Sequence, residues 1–181
     1  MTLRDRYKRA YIEKTKEEFM DLSEQGVYMS GNSAAQVLFV KGSLNEADQV
    51  SLFSGQDGKA LRAALDRLGY APQAWAGLAT CARTGQVLSP DLLRQAIASF
   101  DPETIIVCDP QARDVVCESY ADELASLEKL EAAMLDAGVV AYLLGIRIMN
   151  LGNFEAVLVQ EDKKREVWQY LKQLAPLGEP F

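Results

Sequence analysis

The stretch VLFVKGSLNEADQVSLFSGQDGKALRAAL, Val37 to Leu65, decides the fold. Four consecutive apolar residues, Val37 to Val40, suit a short strand buried on both faces. A loop containing Gly and Asn follows. The pattern then predicts a helix over Lys59 to Leu68. Leu61, Ala64, Leu65 and Leu68 share one of its faces, and Gly69 stands where a left-handed C-cap belongs.

The same alternation extends outward. Trp75 to Ala79 suits a second strand. Ser89-Pro90-Asp91 reads as an N-cap, a proline at the first helical position and an acid favoured by the helix dipole. Leu93, Ala96, Ile97 and Phe100 form that helix's inner stripe. Ile105 to Cys108 is a third buried strand, and Asp109-Pro110 opens another helix by the same logic. Leu124, Leu127, Leu130 and Met134 stripe one further helix, closed by Gly138. Val139 to Leu151 is strand-like, with Gly145 splitting it into a hairpin. Ala156 to Val159 fits a strand or a helical turn. Lys163 to Leu174 closes as a helix with Val167, Leu171 and Leu174 inward. Upstream, Thr2-Leu3-Arg4-Asp5 is a capping box opening a helix to about Leu22, and Gly26 to Ser33 is a turn-rich connector. The expected organisation is a helix and connector over 1–33 and a single α/β domain over 34–181. Strand–helix alternation argues for a mostly parallel sheet with helices on both faces, whose ligand site lies at the carboxyl ends of the strands.

Composition excludes several chemistries. There is no histidine in the 181 residues, so the commonest general base and metal ligand is missing. The three cysteines, Cys81, Cys108 and Cys117, form no C-x-x-C pair, which argues against zinc; no metal and no cofactor is expected. The charged start, MTLRDRYKRAYIEK, reads as neither signal peptide nor anchor, and no apolar run reaches the length of a membrane helix. An odd cysteine count fits a reducing, cytoplasmic compartment. A net charge of −7 gives little help on polyanionic DNA. The basic cluster Arg4, Arg6, Lys8 and Arg9 reads as a solvated helix face, or as an arm facing DNA.

Three segments in order carry a resemblance. They are Val37 to Leu65, then TCARTGQVLSPDLLRQAIASFDPETIIVCDPQA (Thr80 to Ala112), then KKREVWQYLKQL (Lys163 to Leu174). Together they resemble the uracil-DNA glycosylase superfamily, particularly its iron–sulfur-type bacterial and archaeal branch. The resemblance implies a three-layer α/β/α sandwich with a roughly four-stranded parallel core. It also implies a protein that flips uracil out of DNA and cleaves its glycosidic bond.

Carried over by position, the family's site is eroded. Phe53 falls where the family stacks an aromatic on the base; it also suits an ordinary core ring. Gly55 and Gly58 fit the turn into the helix. The first motif stands here as Gly42-Ser43-Leu44-Asn45, so Ser43 or Leu44 holds the carboxylate slot. Glu46 and Asp48, just downstream, could substitute or be solvated loop acids. With Cys81 aligned to the family's cysteine, the uracil-reading Asn falls on Gly77. The family's His-Pro pair falls on Asn153-Phe154; Asn153 could still donate a hydrogen bond, or serve as a turn residue. Cys81 alone matches an expected cluster ligand, and a cluster needs four.

Three functions follow. The preferred one is a catalytically silent relative, a pseudoenzyme that binds DNA or a nucleobase weakly or serves as an interaction module, with its protein partner unidentified. Such a protein should carry a small or apolar pocket after the first strand, with no acid near its centre. The second is an active glycosylase using Asn153 with Glu46 or Asp48. The third is a doubly wound small-ligand module whose Gly42 and Ser43 N–H groups hold a phosphate.

Overall fold

The structure is a computed structural model and describes residues 2–178. The run Val37–Lys41 forms β2, and every residue in it is buried. Its neighbours are β3 (Trp75–Ala79) and β4 (Thr104–Val107), both parallel to it. Beyond β4 lies β6 (Ile146–Asn150), also parallel. Two antiparallel strands complete the edges: β1 (Met29–Gly31) beside β3, and β5 (Val140–Leu143) beside β6. The order is therefore β1-β3-β2-β4-β6-β5. Among the described residues the sheet has six strands and is mixed, where about four mostly parallel strands were expected. The four inner strands are the parallel ones; the hairpin at Gly145 and the residues read as a connector supply the edges.

Side chains of the inner strands alternate between two cores. Leu38, Val40, Ile105 and Val107 face one, and Val37, Phe39 and Ile106 face the other. The first core is covered by α3 (Pro90–Phe100), α4 (Pro110–Ser119) and the end of α1 (Leu3–Glu24). The second is covered by α2 (Gln56–Leu68), the single turn α7 (Phe154–Val157) and α8 (Glu161–Leu171). Helices thus pack on both faces.

The helix ends follow their sequence signals. Thr2 and Asp5 make the capping box of α1; Ser89 and Asp109 cap α3 and α4, each followed by proline; Gly69 closes α2 with φ +97°. Two expectations fail. The stripe Leu124 to Met134 is not one helix but two short ones, α5 (Ala121–Ala125) and α6 (Leu130–Ala133). The chain turns between them, so Leu124, Ala132 and Leu135 fill the core while Leu130 and Met134 stay exposed. The helix expected from Lys59 starts three residues earlier, because Gly58 lets the first turn of α2 pass under the preceding loop. A Cβ at Gly58 would stand 1.8 Å from the Phe53 carbonyl oxygen.

Candidate functional site

The loop from β2 to α2 folds back over the carboxyl end of β2 around one buried cation. Lys41 ends the strand with its side chain only 2% exposed. A buried ammonium needs acidic partners, since its desolvation is otherwise too costly. Its Nζ lies 2.5 Å from Asp48 Oδ2 and 2.5 Å from Asp57 Oδ2. Asp48 comes from a 3-10 turn over Ala47–Gln49 and Asp57 from the first turn of α2. Burial pulls the Lys41 pKa down, but the hydrogen bonds and charges of the two aspartates outweigh it, and the net shift is upward. The lysine is therefore held charged.

The two acids are not equivalent. Asp48 Oδ1 accepts the Phe53 N–H at 2.9 Å, and Oδ2 accepts the Asn45 N–H at 2.8 Å besides the lysine. Asp57 accepts from Lys41 through Oδ2, and its buried Oδ1 has no hydrogen-bond partner among the described residues. A cavity of about 80 Å³ adjoins this cluster, lined by Lys41, Ser43, Asp57, Asp109, Asn153 and Glu155 among others. It is small, as expected of a silent relative, but it is polar, and Asp57, Asp109 and Glu155 line it, against the expectation of no acid near its centre. At ~30 Å³ per water, it has room for two or three solvent molecules.

The expected site residues are placed as follows. Phe53 is wholly buried. Its backbone sits in the left-handed region at φ +61°, a strained conformation for a bulky residue. Asp48 holds its N–H, and Arg62 Nη1 donates to its carbonyl at 2.8 Å. The ring packs edge-on against Phe39, and Lys41 Nζ lies 4.9 Å from its centroid. It also lies directly over Gly77, where a Cβ would stand 2.6 Å from Phe53 Cδ2. Glycine at 77 is thus the residue that admits this ring.

Gly42 and Ser43 offer no free N–H groups to a phosphate. Both donate to the Asp109 carboxylate, at 2.9–3.1 Å, and Asp109 also caps α4 through the Ala112 N–H at 2.8 Å. Asn45 closes the turn: its Oδ1 accepts the Asp48 N–H and its Nδ2 donates to Glu155. Glu46 is exposed and does not line the cavity. Asn153 lines the mouth, while its Oδ1 accepts the Ala156 N–H as the cap of α7. The structure therefore joins Ser43 and Asn153 at one cavity, buries Asp48 against Lys41 of its lining and leaves Glu46 outside.

Neither buried thiol is activated. Burial pushes Cys81 up and Cys108 further up, away from the thiolate. Among the described residues, no three His, Cys, Asp or Glu side chains group to hold a metal ion, and no helix is long and apolar enough to cross a membrane. Sequence reasoning missed Lys41 and Asp57. The signal was present: a lysine ending a strand buried on both faces must find an acid, and an aspartate in the next helix's first turn is near enough to supply it. Compared with models of known protein families and with curated proteins, the chain matches none.

Proposed function

We propose that this chain keeps the α/β/α sandwich of the uracil-DNA glycosylase superfamily as a binding or interaction scaffold and does not excise bases. Four adjacent parallel strands with helices on both faces support the fold part of this reading. The observation that carries the functional part is the Phe53 ring seated on Gly77. By the resemblance, those positions stack and read the base. Here they touch each other and leave no slot between them. The neighbouring cavity, about 80 Å³, is well below the ~300 Å³ at which small-molecule pockets begin. Asp48 is bound up with Lys41 and two N–H groups, so it is not a free base for water.

The test is release of uracil from single- and double-stranded DNA at high protein concentration. No release above background is expected. Release that disappears in Asn153→Ala would overturn the proposal and establish a remodelled active site. Nucleic-acid binding, if it accompanies the scaffold role, should be weak and lost at moderate salt, given the net charge of −7.

A further inference from the structure

Helix α1 is 22 residues long, which at ~1.5 Å per residue is about 33 Å, yet Leu22 is its only buried residue. Phe19 anchors its end on Phe100 of α3, with ring centroids 4.8 Å apart. The preceding turns carry large apolar side chains into solvent, with Leu3 66% exposed and Tyr7 and Tyr11 70%, and Met20 beside the anchor is 63% exposed. Beside the anchored end runs an open, mainly apolar groove of about 680 Å³, walled by Ile12, Phe19 and Met20 of α1 and by Met29, Ala34 and Phe100 of the body. Exposed apolar area of this kind, lying beside an apolar groove, marks an interaction surface.

The charges along α1 indicate the occupant. Residues 3–12 hold Arg4, Arg6, Lys8 and Arg9 against Asp5, a net +3. Residues 13–24 hold Glu13, Glu17, Glu18, Asp21 and Glu24 against Lys14 and Lys16, a net −3. The helix is thus self-complementary end to end. A second α1 laid antiparallel sets +3 against −3 twice, whereas a parallel one sets like on like. A polyanion lying along the helix would meet as many acids as bases, which disfavours nucleic acid. Antiparallel macrodipoles add to the preference.

We propose that two copies of this chain associate through antiparallel α1 helices, the free half of each seated in the groove beside the other's anchored half. The interface is isologous about a two-fold axis. Leu3, Tyr7 and Tyr11 supply the apolar contact, and the charge halves set the orientation. The pairing is independent of the cavity at the strand ends.

The mass of the full chain is measured by light scattering at low and at molar salt, and for two charge variants on exposed positions. A species of twice 20.0 kDa is expected, favoured at low salt. R6E/R9E and E17K/D21K should each be monomeric, since each places like charges together, and Tyr7→Ala/Tyr11→Ala should be monomeric as well. Mixing the two charge variants should restore a one-to-one dimer. A wild type that stays monomeric at its highest soluble concentration overturns the proposal. So does a dimer that survives in all three variants, or a monomer whose nucleic-acid binding is lost in R6E/R9E.

Discussion

Asp48 and Asp57 flank one lysine but differ in what else they hold, and the difference is measurable. Both Asp48 oxygens accept backbone N–H groups, so an asparagine there turns its amide NH₂ against a donor in either orientation. Asp57 Oδ1 has no partner among the described residues, so an asparagine can keep its carbonyl toward Lys41 and place the NH₂ where no donor opposes it. Asp48→Asn should cost about 1–3 kcal/mol more than Asp57→Asn, the penalty of opposing a buried backbone donor that only the first variant incurs. Denaturant midpoints of the two variants check this, and equal losses would contradict the asymmetry. At this scale the sequence exposed types but not contacts. Phe53 was legible as either a base platform or a core ring; only its distance from Gly77 separates the two. Asp48 was legible as a loop acid, but its lysine partner lies in a strand read as wholly apolar up to Val40.

The elements are tied together at their caps. Asp109 is at once the N-cap of α4 and the acceptor for the first two N–H groups after β2. Ser89, by contrast, caps α3 alone, accepting the Leu92 N–H at 3.2 Å. Asp109→Ala should therefore cost more than the ~0.5–2 kcal/mol of an ordinary cap, while Ser89→Ala should fall within that range. Amide exchange at Gly42 and Ser43 should accelerate in the aspartate variant only. Caps were the most legible feature of the chain, because Thr2, Ser89, Asp109 and Gly69 act on backbone within a few residues of themselves. The stripe Leu124 to Met134 misled, because periodicity assumes an unbroken helix and a turn intervenes. Strand β1 was missed because three residues in a Gly-rich segment carry no pattern; their pairing with β3 makes the strand.

Across the whole molecule, several buried groups set its response to base. Burial pulls the Lys41 pKa down, the two aspartates more than offset it, and it stands above the ordinary lysine value. Burial raises Tyr70 and, further, Cys108. A group whose pKa is higher folded than unfolded contributes stability in full below the unfolded value and loses it as pH climbs through the folded one. All three act with the same sign, so unfolding free energy should already be falling at pH ~8.5, where an unfolded thiol is half ionised, and fall more steeply past ~10.4, the unfolded lysine value. Lys41→Met should cost about 3–5 kcal/mol at neutral pH by stranding two buried acids, and that deficit should narrow above ~10.4. Chemical denaturation across the alkaline range reads both, and a constant deficit would refute the charged-lysine account. By itself, the sequence determined the alternation of the inner strands with their helices, the capped helix ends at Thr2, Ser89, Asp109 and Gly69 and the charge halves of α1, because these depend on neighbours a few residues apart. Only the tertiary structure decided that Lys41, Asp48 and Asp57 meet, that Phe53 fills the space over Gly77, and that Asp109 consumes the loop's N–H groups. Those contacts exist only once the β2–α2 loop closes over three parallel strand ends, and no local pattern encodes which side chains that closure brings together.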